Sequence, residues 1–195
     1  MMLHMWHKLP AGPQPPDRMF AVIEVPKGTR NKYEYDKDFG AIRLNRVLYS
    51  PLHYPGDYGF FPQTYYDDGD PLDVLVMMQA PTFPGCVVEV RPIGMYKMID
   101  GGERDFKILA VPATDPHYNG YFDIRDIPQH FPTEVGHFFT TYKDLEGTTI
   151  RNEGWTGAAG AKEAIQFSID LYKKEVLPTL SQATRDQMPT TQAGD

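Results

Sequence analysis

The alternation of hydrophobic and polar positions divides the chain into strand-like runs followed by helical ones. Short runs rich in β-branched and aromatic residues are separated by clusters of Gly, Pro, Asp and Asn, which favour turns. These runs predict strands over residues 20–25, 32–36, 41–48, 73–78, 86–98 and 105–111. Residues 36–40 form a short polar connection typical of a hairpin. Pro92 and Gly94 interrupt the fifth run, so we expect a bend or bulge there.

Two later stretches carry apolar residues at helical spacing. The first helix is predicted to begin near Pro132 and to end before Gly147. The second is predicted to follow Thr156 and to end before Pro178. Closely spaced strands followed by helices predict a mainly β fold with flanking α-helices, a small barrel with the helices packed outside.

The chain has the size and composition of one domain. Its 195 residues are 41% hydrophobic, which is enough to bury a full core. The sequence has no internal repeats and no dividing linker, so we expect a single domain over residues 1–195. Within it, we expect residues 1–18 to form an extended arm rich in Pro and Gly, and residues 184–195 a frayed polar tail.

Charge and cysteine content narrow the possible functions. The formal net charge of −7 argues against broad nucleic-acid binding but leaves room for a local basic pocket. Cys86 is the single cysteine, so an intrachain disulfide is impossible and nothing indicates an oxidising compartment. No apolar run approaches the length of a membrane span. We therefore expect a cytoplasmic protein with neither a membrane nor a nucleic-acid partner.

Candidate chemistry centres on residues 67–73, where four aspartates precede the apolar run 74–78. Such a dense group of carboxylates repels itself unless cations, protons or solvent relieve it. The apolar run has two hydrophobic faces, as a buried strand does. The aspartates therefore lie at the beginning of a core strand. Carboxylate oxygens there suit a hard divalent cation such as Mg²⁺. An acidic surface turn is the alternative, whereas the spacing does not fit an EF-hand loop.

A second acidic group precedes the last predicted strand and contains Asp100, Glu103 and Asp105. Asp105 and Lys107 share a strand face, so the lysine is placed to neutralise part of the acidic charge. By itself this group is compatible with a solvated turn. Together with residues 67–73, it supplies enough carboxylates for two or more metal ions.

Basic and aromatic residues suggest what the acidic cluster acts on. Arg46 shares an apolar strand face with Ile42 and Leu44, and a guanidinium there needs an anion. A phosphate suits its planar fork, and a buried Arg–carboxylate pair is the open alternative. Further candidates are Lys32, Glu34, Tyr54, Tyr58, Tyr142 and Lys143. This inventory fits Mg²⁺-dependent chemistry on a small phosphate compound. The sequence has no nucleophile elbow, Walker-type loop or zinc-ligand spacing.

The chain resembles the family I soluble inorganic pyrophosphatases from about residue 6 to residue 177. Residues 68–73 resemble the family motif D-G-D-P-[hydrophobic]-D, which is highly specific. Supporting blocks in similar order and spacing are residues 23–26, 30–36, 54–59, 97–100, 137–139 and 142–146. One departure is Asn45, where the family usually has Asp. Because Arg46 is intact, we expect catalysis to be retained and the departure to concern local polar contacts and some subunit contacts.

The resemblance implies a fold, a reaction and an assembly. The fold would be an OB-like closed five-stranded β-barrel with two principal helices packed outside. The reaction would be Mg²⁺-dependent hydrolysis of inorganic diphosphate to two orthophosphates by a metal-activated water. Several Mg²⁺ ions would bind each subunit, with Mn²⁺, Zn²⁺ or Co²⁺ as possible substitutes. The assembly would be a homohexamer whose small-molecule partners are pyrophosphate and phosphate.

The resemblance also assigns a role to each matching residue. Asp70 would orient or deprotonate the attacking water. The metal ligands would be Asp68, Asp73, Asp100, Asp105 and Glu34. The phosphate-binding residues would be Lys32, Arg46, Tyr58, Tyr142 and Lys143. All of these except Tyr58 would also be catalytic. Glu24 would act through water in the outer shell, and Lys107 would brace the acids. The alternatives are a hydrolase of organic polyphosphates and a non-catalytic barrel that binds divalent cations or anions.

Overall fold

The computed structural model describes residues 4–189, and a closed ring of strands is its central element. The strands are β1 Met19–Val25, β2 Asn31–Asp36, β3 Ala41–Val47, β4 Asp57–Phe60, β5 Asp73–Val76, β6 Val87–Asp100, β7 Glu103–Arg104, β8 Lys107–Pro112 and β9 Ile150–Gly157. The helices are α1 Met5–Lys8, α2 His130–Thr141, α3 Ala158–Leu171 and α4 Gln182–Arg185.

Five strands close the ring in the order β1, β4, β5, β8 and β6, and β6 pairs with β1 again. Strands β5 and β8 are parallel, whereas the other pairs in the ring are antiparallel. Strands β2 and β3 form a separate antiparallel hairpin, as predicted. The ring and the two longer helices, α2 and α3, match the predicted fold class.

Both faces of β5 are buried, as its continuous apolar run predicts. Leu75 packs in a core cluster that includes Val135 of α2. Val74 and Val76 pack in a second cluster that includes Ile165 of α3. Because the chain alternates at every residue, one strand anchors the ring to both helices and fixes the position of Asp73 at its beginning.

Two expectations about the strands have different outcomes. The predicted bend in the long run is confirmed, since the pairing of β6 with β8 shifts register between Pro92 and Gly94. Strand β4 is missing from the prediction because it is short and contains Asp57 and Gly59. Gly59 is required there, because a Cβ atom would lie 1.8 Å from the carbonyl oxygen of Val22 in β1. Strands β7 and β9 were also not predicted, and both have exposed polar residues.

The helix ends and the terminal segments also differ from expectation. Helix α2 ends at Thr141, earlier than the predicted end before Gly147, and Leu145 in the residues beyond it is 65% exposed. A short helix, α1, lies within the segment expected to be extended, because Trp6 is buried and its Nε1 donates to the Thr64 carbonyl at 2.8 Å. Helix α4 extends two residues into the tail expected to be frayed, and residues 190–195 of that tail lie outside the described residues. Within residues 4–189, no helix is long and apolar enough to cross a membrane.

Candidate active site

A cavity of about 560 Å³ lies beside the beginning of β5 and is lined by most of the predicted site residues. Of the residues that the sequence singled out as phosphate-binding or metal-binding candidates, Arg46 and Tyr54 do not line it, and Tyr54 is buried in the core. The predicted residues that line it are Glu24, Lys32, Glu34, Tyr58, Asp68, Asp70, Asp73, Asp100, Asp105, Lys107, Tyr142 and Lys143. Carboxylates, ammonium groups and phenols thus converge from segments far apart in sequence.

Three carboxylates form the most compact acidic group in this cavity. Asp68, Asp73 and Asp105 each offer an oxygen atom, and these atoms lie within 4.8 Å of one another. They converge because Asp73 begins β5 and Asp105 lies two residues before the start of β8, its parallel neighbour. Burial, with a smaller contribution from the Asp73 carboxylate, raises the pKa of Asp68 to about 7. Three hard oxygen donors with restrained positions fit a divalent cation such as Mg²⁺.

Lys107 supplies positive charge to this group from within the protein. It is 3% exposed, and its ammonium group donates to the carboxylates of both Asp73 and Asp105. Burial alone would lower the pKa of Lys107, but the carboxylates of Asp105 and Asp73 outweigh burial and hold this pKa well above its usual value. The hydroxyl of Tyr58 donates to Oδ2 of Asp73 at 2.6 Å, the same oxygen that accepts from Lys107. Two donors therefore hold this one oxygen.

Two further lysines line the cavity, each paired with a carboxylate. The Lys32 ammonium lies 2.6 Å from Glu34 on β2, and the Lys143 ammonium forms an ion pair with Asp100 at the end of β6. Tyr142 caps the C-terminus of α2 and is buried beside Lys143. Since all these groups face one cavity, an incoming anion meets ammonium and phenol donors together.

Glu24 is the most deeply buried acid of the site. It lies on β1 and accepts a hydrogen bond from the backbone N–H of Tyr35 at 2.6 Å. Burial raises the pKa of Glu24 to about 8, and the hydrogen bond from Tyr35 opposes only part of this effect. The group therefore carries its proton through much of the neutral range when the site holds no cation.

Asp70 lies at the edge of the cavity, where its side chain is 60% exposed. Its backbone N–H donates to the Asp68 carboxylate at 3.1 Å, a local turn that orients residues 68–70. Its own carboxylate forms an ion pair with Lys37, which belongs to the connection between β2 and β3. Lys37 was missed from the sequence because a lysine between Asp36 and Asp38 in a polar turn resembles an ordinary solvated residue.

Arg46 does not line the cavity and has a carboxylate partner instead. Its Nε atom donates to Oε1 of Glu146 at 3.1 Å, and its Nη2 atom lies 3.0 Å from Oε2 of the same carboxylate. The Arg–carboxylate pair left open by the sequence is therefore the arrangement in the structure. The expected apolar face is wrong in part, because Leu44 is 48% exposed. The side chain of Asn45 connects the two functional candidates, donating to Glu34 at 2.6 Å and accepting from Arg46 at 3.2 Å.

Comparison with known proteins agrees with this geometry. Residues 21–173 match the family model described as "Inorganic pyrophosphatase". The chain is 52% identical to the inorganic pyrophosphatase of Haloferax volcanii, over 89% of this chain and 98% of that protein. It is 46% identical to soluble inorganic pyrophosphatase 1 of Arabidopsis thaliana, over 91% of this chain and 84% of that protein. The solved inorganic pyrophosphatase of Thermus thermophilus is 45% identical and superimposes with a TM-score of 0.84, covering 87% of this chain and 99% of that one. The family model covers most of the chain, and the chain belongs to the inorganic pyrophosphatase family.

Proposed function

We propose that the cavity hydrolyses inorganic diphosphate to two orthophosphates with Mg²⁺ as the cation. The observation that carries this proposal is the convergence of Asp68, Asp73 and Asp105 with lysine and tyrosine donors in one cavity. Membership of the family makes the protein a hydrolase of the inorganic diphosphatase class. A substrate with several negative charges needs both kinds of group, since cations and lysines reduce its repulsion of the acidic site.

Asp68, Asp73 and Asp105 would hold the first cation, and Asp100 and Glu34 would serve further ions. Mg²⁺ favours oxygen ligands of this kind, and Mn²⁺, Zn²⁺ or Co²⁺ would be substitutes. A bound divalent cation supplies charge neutralisation and acidifies water. Lys107 would limit repulsion among the three acids before any cation arrives, because it already contacts two of them.

Asp70 would orient the attacking water and accept its proton. The exposure of this carboxylate at the edge of the cavity leaves room for a water molecule and a phosphate. A positioned base of this kind contributes roughly 10²–10⁴ in rate. Water itself is the acceptor of the phosphoryl group, so the reaction needs no covalent phosphoenzyme.

Lys32, Lys143 and Tyr142 would bind the phosphate oxygens and stabilise charge on the leaving phosphate. Both lysines already contact carboxylates, so substrate binding would exchange a carboxylate partner for a phosphate partner. Arg46 would join them from the edge of the cavity after loosening its pair with Glu146. Tyr58 would hold Asp73 in place through its hydroxyl. Glu24 would hold β2 in place through its bond from the Tyr35 N–H.

The cellular context follows the family resemblance. The protein would be cytoplasmic and would form a homohexamer. Exposed apolar side chains on and after β3, at Leu44, Val47 and Tyr49, are consistent with burial against another copy. Light scattering of the purified protein tests the assembly directly.

Orthophosphate release from pyrophosphate, tripolyphosphate and ATP tests the reaction, each assayed with Mg²⁺ and again with excess EDTA. We expect rapid release from pyrophosphate alone, abolished by EDTA. Calorimetric titration of Mg²⁺ should show binding that is weakened in Asp73→Asn and unchanged in the control Asp170→Asn, which lies on the exposed face of α3. Comparable release from ATP would favour the organic polyphosphate alternative, and Mg²⁺ binding without any release would favour the ion-binding barrel.

A further inference from the structure

The connection between β2 and β3 contacts Asp70 through Lys37. The ammonium group of Lys37 pairs with Oδ1 of Asp70, and it lies 3.5 Å from the carbonyl oxygen of Gly69. Lys37 itself lines the cavity. Asp70 therefore has a cationic partner that is distinct from the lysines that contact Glu34 and Asp100.

Lys37 is restrained on its other side by an aromatic ring. Its ammonium group lies 4.7 Å from the centre of the Trp6 ring, within the range of a cation–π interaction. Trp6 is only 7% exposed, and its Nε1 donates to the Thr64 carbonyl at 2.8 Å. The ring is thus a fixed platform, and helix α1 is connected to the edge of the cavity through Trp6 and Lys37.

An exposed carboxylate needs such restraint if it is to act on water. The side chain of Asp70 is 60% exposed, and its own segment restrains it through the backbone, whose N–H donates to Asp68 and whose carbonyl accepts from the Tyr66 N–H at 2.8 Å. A base that moves by about 1 Å from its productive position can lose as much as 10²-fold in rate. The contact with Lys37 engages Oδ1 of Asp70, and Oδ2 remains to accept a proton.

We propose that Lys37 is a positioning residue that holds Asp70 in its productive orientation, with Trp6 as its platform. The inference rests on the proposed role of Asp70 as the group that orients or deprotonates water. Lys37 acts through Asp70 rather than on the substrate. Its removal therefore lowers kcat and leaves KM for pyrophosphate nearly unchanged.

The test compares Lys37→Met, Lys37→Arg and the control Lys174→Met in steady-state assays with Mg²⁺ and pyrophosphate. Lys174 is an exposed lysine that pairs with Glu175, so it matches the chemistry of the change away from the site. We expect kcat to fall about tenfold in Lys37→Met with less than a twofold change in KM. Lys37→Arg should restore most of kcat, and Lys174→Met should resemble the wild type. A large rise in KM with unchanged kcat would overturn the inference, because it would make Lys37 a substrate-binding residue.

A double-mutant cycle with Asp70→Asn separates positioning from a general structural effect. If Lys37 acts through Asp70, adding Lys37→Met to Asp70→Asn should cause no further loss of kcat. An equal tenfold loss in both backgrounds would overturn the inference while leaving the role of Asp70 intact. If Asp70→Asn retains full activity, the proposed role of Asp70 fails first, and the inference falls with it. Melting temperatures of all variants, within a few degrees of wild type, exclude unfolding as the cause.

Discussion

Arg46 and Glu146 are 100 residues apart in sequence and form a bidentate ion pair, with nitrogen–oxygen distances of 3.1 and 3.0 Å. The guanidinium, which does not line the cavity, is thus oriented by a carboxylate before any substrate arrives. A planar fork held in this way can turn toward phosphate with little loss of conformational freedom. The pair connects β3 to the short helical turn that follows α2.

Replacement of Arg46 by lysine should therefore reduce kcat/KM for pyrophosphate by about tenfold to a hundredfold, because a point charge cannot reproduce the bidentate contact. Glu146→Gln should cause a smaller loss, since the guanidinium keeps its charge and loses only its orienting partner. The matched control is Arg151→Lys, which changes an exposed arginine paired with Glu153 at 2.7 Å on β9. Equal activity of Arg46→Lys and the wild type would show that Arg46 has no contact with substrate.

Lys107→Met should destabilise the metal-free protein by about 3 kcal/mol, because it leaves the partly buried carboxylates of Asp73 and Asp105 without their common buried partner. Mg²⁺ should then raise the melting temperature of the variant more than that of the wild type, since the cation replaces the missing charge. Thermal unfolding with EDTA and with Mg²⁺ measures both effects. The control is Lys162→Met, which removes an exposed lysine 2.6 Å from Asp17. An equal Mg²⁺ effect in Lys107→Met and wild type would contradict this account of the site.

Asn45→Asp replaces the amide donor to Glu34 by a second carboxylate and keeps the acceptor for Arg46. The metal-free protein should lose about 1 kcal/mol of stability, which is typical of one hydrogen bond. Mg²⁺ should bind a few-fold more tightly, because the site gains a negative charge. Chemical denaturation and calorimetric titration measure the two quantities, with Asn152→Asp on exposed β9 as the control. Unchanged stability and unchanged Mg²⁺ affinity would show that the contact between Asn45 and Glu34 contributes nothing to the free energy of unfolding or of Mg²⁺ binding.

Glu24→Gln isolates the pH dependence that burial imposes on this site. Burial raises the pKa of Glu24 to about 8 from an ordinary value of 4.5, so the folded metal-free protein binds this proton more tightly than the unfolded chain. Stability from this group is complete below pH 4.5 and is lost as pH rises toward 8. The variant keeps an acceptor for the Tyr35 N–H and should become increasingly more stable than the wild type across that range, although less active.

Denaturation of both metal-free proteins at pH 5, 6.5 and 8 checks this prediction. Glu163→Gln on the exposed face of α3 is the control and should follow the wild type at every pH. A constant difference between Glu24→Gln and wild type would mean that folding does not raise the pKa of Glu24.

Most residues that the sequence grouped as a candidate site line one cavity, whereas three strands of the fold, β4, β7 and β9, were not predicted. The acids around Asp73 could be identified because a buried strand follows them directly, so their placement depends on short-range geometry. Strand β9 could not be identified, since residues such as Arg151 and Glu153 are polar and the strand forms only by pairing with β6. The burial of Trp6 depends likewise on distant partners, including the carbonyl of Thr64.

Partner choice among charged groups was the other property that local pattern could not resolve. Arg46 and Glu146 are far apart in sequence, so no periodicity joins them. Lys37 looked like a solvated turn residue because its two partners, Asp70 and Trp6, come from different segments. The roles of these residues therefore depend on tertiary contacts. The family resemblance assigns roles only to residues that lie within its motifs.

The measurement that tests the central claim most directly is the turnover number for pyrophosphate hydrolysis, at saturating Mg²⁺, of the wild type and Asp70→Asn. The amide is nearly the same size as the carboxylate but cannot accept the proton of the attacking water. We predict rapid release of orthophosphate by the wild type and a turnover number lower by roughly 10²–10⁴ in the variant, with both proteins folded and binding Mg²⁺ equally. Equal turnover numbers would contradict the assignment of Asp70, and a folded, Mg²⁺-loaded wild type without phosphate release would contradict the whole account.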